Sequence, residues 1–173
     1  MLPNPLHPAL VHFPIVLMVL LPIAAMVALW AIRRGAQPTK AWLVPTALAV
    51  ALTASAWVAV ETGEGQEELV EKVVSEQAID AHAEAAERFL LLSAAMAGLV
   101  AIGLLRNQAG SAARVVTVVA AAGLMVAGYQ VGHSGGELVY RHGAASAYVG
   151  LPGTGDTPAK RPFGKQESDE DDH

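Results

Sequence analysis

The stretch HPALVHFPIVLMVLLPIAAMVALWAIRR, residues 7–34, decides the fold. From Phe13 to Ile32 it holds no ionisable side chain, and two arginines close it at Arg33 and Arg34. A helix rising 1.5 Å per residue needs about 20 apolar residues to cross ~30 Å of hydrocarbon. The run over about 9–32 meets that requirement. Three more runs follow, at about 41–60, 89–105 and 115–132. Together the four predict an all-α, polytopic membrane protein: a four-helix antiparallel transmembrane bundle over residues 1–150.

Composition agrees. Of the 173 residues, 53% are apolar and 16% charged, against about 25% charged in a soluble domain, and mean hydropathy is +0.40. A soluble enzyme is excluded, and the spans leave no room for a second globular domain. With no cysteine, disulfides, thiolate ligands, thiol nucleophiles and covalent haem attachment all drop out. A metal would have to bind through His or carboxylate. The net charge of −5 offers no basic face for nucleic acid, whose binding rests on phosphate neutralisation. No nucleophile–base pair or phosphate loop is visible, so catalysis by the polypeptide alone is not expected.

Charge sets the expected orientation. The connections 33–40 and 106–114 carry Arg33, Arg34, Lys40, Arg106 and Arg114 and no acid, which places them in the cytoplasm by the positive-inside rule. Residues 61–88 carry nine acids against Lys72 and Arg88. Both termini are then periplasmic in a bacterial inner membrane. The first run lacks the basic start of a signal peptide and reads as a retained span. Trp30 and Trp42 are expected at the inner boundary, and Phe13, Tyr129 and Tyr140 at the outer one, because aromatic side chains favour the interface.

Local signals complete the outline. Pro14 and Pro45 read as first-turn residues, and Pro22 as a kink within the first span. Residues 66–88 read as a periplasmic helical extension, an amphipathic outer helix between the second and third spans. Val70, Val74, Ala78 and His82 recur every four residues on its apolar stripe, which turns His82 inward. Gly128 and Gly132 have the spacing of close helix packing, whereas Gly135 and Gly136 are expected to end the fourth helix and fold Leu138, Val139 and Tyr140 back on the bundle. Residues 151–173, closing in ESDEDDH, have too little apolar surface to offset ordering and read as a disordered acidic tail.

On this topology His7, His12, His82, His133 and His142 fall at the outer boundary, each span contributing to one layer. Glu61, Glu64, Glu84 and Glu87 lie at the same level. Imidazole is the commonest protein metal ligand and also an axial ligand of haem iron. Each residue has a plainer reading: His7 as an interfacial residue, His82 as a hydrogen-bonding partner, Arg141 as an ion-pair partner of a local Glu rather than of a haem propionate, and the acids as a solvated face. Glu61 and Glu87, nearest the lipid, are candidate metal ligands or partners of a ligating His. His173, in the tail, reads as solvated. The middle of each span has no ionisable residue, which argues against an ion carrier, and no second histidine layer exists for electron transfer across the bilayer.

HPALVHFPIVL at 7–17 and GGELVYRHG at 135–143, with ETGEGQEE at 61–68 and AHAEAAERF at 81–89, resemble the signatures of a bacterial membrane-protein family catalogued as domain of unknown function 2231. The resemblance covers about 1–145, and the residues around 66–80 and the tail look like additions to the shared core. Members are predicted four-span proteins, some fused to or encoded beside cytochrome-type or Rieske-type redox domains, so the resemblance implies a redox association. The family's recurrent histidines fall on His7, His12, His82 and His142, and His133 lies where members vary.

The expectation is therefore a periplasm-facing cluster binding one haem b for electron transfer. Its axial ligands would come from His12, His82, His133 and His142, with His7 and Arg141 nearby. In an up-and-down bundle the first and third helices are diagonal, which favours His12 with His82. The partner would be a periplasmic cytochrome or Rieske-type protein or a membrane oxidoreductase. The alternatives are Fe, Cu or Zn held by the same histidines with Glu61 and Glu87, or a structural or assembly protein without cofactor.

Overall fold

The structure, a computed structural model, describes residues 6–149. The tail expected to be disordered, 151–173, lies outside the described residues, as does His173. A one-turn helix α1 (His7–Leu10) leads into α2 (His12–Arg33), followed by α3 (Pro38–Val70), α4 (Glu76–Ile102), α5 (Gln108–Tyr140) and a short 3-10 turn, Ala144–Tyr148. There is no β-strand among the described residues. Four helices, counting His7–Arg33 as one, are long and apolar enough to cross a membrane.

Each long helix buries one stripe at i, i+3, i+4 spacing. Leu21, Ala25 and Ala28 on α2 meet Ala49, Leu52 and Ala56 on α3, Met96 and Val100 on α4, and Ala121 and Leu124 on α5. Small residues dominate because lipid gives apolar side chains no reason to leave it, so association rests on close backbone approach and van der Waals contact. The opposite faces present Ile15, Val19, Val50, Leu91, Val119 and Val126 outward, as a lipid-facing surface requires. Thr46, Thr53 and Thr117 donate to carbonyls four residues back, and Ser55 and Ser93 to carbonyls three back, so the mid-span hydroxyls are satisfied within their own helices.

The helices form a closed ring. α2 packs on α3, α3 on α4, α4 on α5 and α5 on α2, while α2 and α4, like α3 and α5, sit diagonally without backbone contact. The expected diagonal relation of the first and third spans holds.

Several local expectations are corrected. The extension at 66–88 is not one helix: α3 runs on through Glu61-Thr62-Gly63-Glu64-Gly65 to Val70, and the chain turns over 71–75 before α4 begins. Val70, Val74 and Ala78 still meet, in a small outer cluster with Ile79, Leu138 and Ala144. Gly135 and Gly136 do not end the last helix. α5 continues to Tyr140, and the turn falls at Gly143, whose φ of +72° suits glycine. α3 starts at Pro38, so Pro45 lies two turns inside it rather than in its first turn.

At the end carrying Arg33 and Arg106, the aromatic belt is half as expected. Trp30 is 60% exposed, with the Arg34 guanidinium 5.2 Å from its ring centre. Trp42 is fully buried, its Nε1–H donating to the Val100 carbonyl at 2.9 Å. Arg114, read from sequence as a loop charge, is instead 4% exposed on the second turn of α5. Its Nε donates to the Gly103 carbonyl and an Nη to the Leu105 carbonyl, both at 2.7 Å. It thus covers the carbonyl end of α4, where the helix dipole is negative.

Candidate functional site: a pair of imidazoles at one end of the bundle

Antiparallel helices bring the start of α1, the end of α3, the start of α4 and the end of α5 to one end. Of the five histidines gathered there, two turn inward. His7 and His82 are half-buried, while His12, His133 and His142 are exposed. His7 and His12 are five residues apart, about 140° around a helix, so with His7 turned inward His12 falls on the outer surface.

The His7 ring lies against α3, Nδ1 being 3.3 Å from Thr62 Oγ1. Beneath it is Gly63, where a β-carbon would stand 3.2 Å from His7 Cε1. The His82 ring lies against α5, Nδ1 being 2.9 Å from Ser134 Oγ. A β-carbon at Gly135 would stand 3.0 Å from His82 Cε1. At both glycines the space a side chain would fill is taken by a ring, and Gly135, expected to end the fourth helix, stays inside it.

His7 and His82 stand at the same end of the bundle on helices that are diagonal to one another. Below them, toward the bundle middle, Met18 and Phe89 close over Gly128 in an apolar floor. Above them, Tyr148 Oη donates to Gln66 Oε1 at 2.7 Å, and Ala144 is buried in the small outer cluster. Burial raises the Tyr148 phenol above its ordinary range. Thr62 is about 36 Å along α3 from Pro38, and Ser134 about 39 Å along α5 from Gln108, at 1.5 Å per residue. With ~30 Å of hydrocarbon to cross, the pair belongs at a membrane face, not at mid-depth.

The other sequence candidates lie outside this arrangement. His133 stacks obliquely on Tyr129, ring centres 5.9 Å apart, and stands 3.8 Å from Glu137. Arg141 pairs with Glu137 at 2.6 Å, the local Glu ion pair weighed from sequence. Glu61 and Glu87 are exposed. No group of three or more His, Asp or Glu side chains among the described residues is placed to hold a metal ion. Sequence reasoning missed Thr62 and Ser134. The signal was a hydroxyl residue directly before a glycine near the end of the second and of the fourth helix, Thr62-Gly63 and Ser134-Gly135.

A family model describing predicted membrane proteins matches residues 3–147, which spans all four helices and both imidazole sites. The chain belongs to the DUF2231 family. No curated protein and no solved structure matches it. The family description adds membrane residence, which the four apolar helices of this DUF2231 protein also support, and leaves the chemistry of the site to be argued from its residues.

Proposed function

We propose that this DUF2231 protein is an inner-membrane electron-transfer subunit in which His7 and His82, at the periplasmic end of the bundle, would hold one haem b. The observation that carries the reading is the donor set: two inward imidazoles from diagonal helices, with no group of three or more His, Asp or Glu side chains gathered among the described residues. Protein sites for Fe, Cu or Zn as a rule supply three or four protein ligands, more than the two rings. Haem supplies most of its iron's ligands itself, so two imidazoles would complete the set.

The pair fits that role in further respects. Both rings are held at Nδ1 by a neighbouring hydroxyl, as ligating histidines usually are held by a partner on the other nitrogen. The neighbours of both rings are neutral, hydroxyls and glycines, and the ionisable Glu61 and Glu87 are exposed. His7 thus takes the place expected of His12, with His82 kept. Haem bound by two histidines supplies one-electron transfer without substrate chemistry. The polypeptide's part is to hold the rings, exclude bulk water with the Tyr148–Gln66 closure, and keep the site near one face, within reach of a periplasmic cytochrome, a Rieske-type protein or a membrane oxidoreductase. Exposed Arg33, Arg34, Lys40 and Arg106 at the opposite end support a cytoplasmic placement for that end, with both termini periplasmic.

A second reading has support in the same hydrogen bonds. His7–Thr62 and His82–Ser134 each join two helices, and polar side chains do serve as glue between membrane helices. Absorption spectra of the full-length protein in mild detergent, oxidised and dithionite-reduced, separate the two. A Soret band with sharp reduced α and β bands and one iron per chain supports haem. A colourless, metal-free protein from haem-replete cells supports the structural reading.

A further inference from the structure

The two imidazoles sit in settings that match atom for atom. His7 and Thr62 are separated by 55 residues, His82 and Ser134 by 52. Each ring uses Nδ1 toward a hydroxyl, and each hydroxyl is followed by a glycine that lies under ring atom Cε1. Each hydroxyl also reaches the carbonyl three residues before it: Thr62 Oγ1 to Ala59 at 3.1 Å, Ser134 Oγ to Val131 at 3.1 Å. Thr62 Oγ1 has a second acceptor in the Val58 carbonyl at 2.8 Å. The connectivity repeats in the same sense. Exchanging α2 with α4 and α3 with α5 maps one helical hairpin onto the other and one ring onto the other.

A hydroxyl has one proton. A main-chain carbonyl, which can only accept, lies within reach of each hydroxyl; with the proton on that carbonyl, the oxygen turns a lone pair to the imidazole. The ring nitrogen it meets must then carry a hydrogen. In a neutral imidazole one nitrogen is the donor and the other the acceptor, and which is which follows from the bond the first one makes. With Nδ1–H fixed, Nε2 keeps its lone pair. The rings also lie near the Ala59 and Val131 carbonyls that the hydroxyls reach, and the side-chain partner of each ring among the described residues is the hydroxyl at Nδ1.

We infer that Thr62 and Ser134 are matched positioning residues that hold His7 and His82 as Nδ1–H tautomers, so that each hairpin offers one Nε2 lone pair to a ligand between them. The inference deepens the haem reading and rests on it for the identity of the ligand, but the tautomers themselves do not require haem. A site of two equivalent halves suits a flat ligand coordinated alike on both faces.

The test is long-range ¹⁵N–¹H correlation NMR of the protein labelled at histidine nitrogens, in detergent micelles at neutral pH and without cofactor. The expected pattern for His7 and His82, assigned by their Ala variants, is a protonated Nδ1 and a bare Nε2. Thr62→Val should lower the Nδ1–H fraction at His7 alone, and Ser134→Ala at His82 alone. Thr62→Ser and Ser134→Thr should restore the parent pattern, which a general loss of packing would not. In haem-loaded protein the same two disruptive variants should weaken haem retention about 10–100-fold. A protonated Nε2 in the parent protein, or tautomers indifferent to Thr62→Val and Ser134→Ala, overturns the inference. A protein that shows the expected tautomers yet takes up no haem leaves the positioning roles standing and removes the proposed function instead.

Discussion

Gly103→Ala probes the packing at the end opposite the histidines. A β-carbon at Gly103 would lie 2.2 Å from Trp42 Nε1, 2.8 Å from Cε2 and 2.9 Å from Cδ1. Trp42 is fully buried, so its indole cannot swing into lipid without parting helices. Restoring ordinary contact requires about 1 Å of movement, and the 2.9 Å bond from Nε1–H to the Val100 carbonyl is lost. Overpacking costs about 1–3 kcal/mol, and a buried donor left without an acceptor about 1–3 kcal/mol more. The expected destabilisation is therefore about 2–6 kcal/mol. In a Trp42→Ala background the obstacle is gone, and alanine is the better helix former by up to ~1 kcal/mol, so Gly103→Ala becomes neutral or favourable. The assay is equilibrium unfolding in mixed micelles followed by circular dichroism, run as a double-mutant cycle. An equal effect of Gly103→Ala in both backgrounds, or no effect in the parent, refutes the reasoning.

Three further outcomes are expected. Arg114→Met removes bonds to the Gly103 and Leu105 carbonyls and should cost about 2–4 kcal/mol in the same unfolding assay, charged hydrogen bonds being the stronger kind. Gly135→Ala should disturb the His82 NMR signals more than Gly63→Ala disturbs those of His7, because the intruding carbon meets its ring at 3.0 Å rather than 3.2 Å; the reverse order contradicts the geometry. Burial raises the Tyr148 phenol, so the folded state favours its neutral form. The stability this gives is present below the unfolded tyrosine range near 10 and is lost as pH rises through the folded value. Ultraviolet titration should show a late-ionising tyrosine that Tyr148→Phe removes.

The fold was legible because the apolar runs match the thickness of a bilayer, and short connections of opposite character imply alternating crossings. Connection details were not. Gly135 and Gly136 read as a helix end from local propensity, but α5 runs on through both, with the His82 ring lying across Gly135. Trp42 carries the composition of an interfacial anchor, and only the neighbouring Gly103 makes room to bury it. Arg114 counted as a loop charge because a helix starting at Asn107, which accepts from Gly110 N–H, has a weak signal in polar residues.

At the site, the layer of histidines was readable from topology alone. Which of them turn inward was not, since His7 precedes the apolar run that defines the first span. His12, on the better periodic pattern, faces out. The hydroxyls were hidden for a different reason. Thr62 and Ser134 lie far from their rings in sequence, and short polar residues in membrane helices usually serve their own backbone, as Thr46, Thr53 and Thr117 do here.

The most direct test compares reduced-minus-oxidised absorption spectra of His7→Ala, His82→Ala, His12→Ala and His133→Ala, each purified from haem-replete cells in mild detergent. The account predicts that the first two lose the sharp α and β bands and that the last two keep them. Parent-like bands in His7→Ala or His82→Ala, or their loss in His12→Ala, would contradict it.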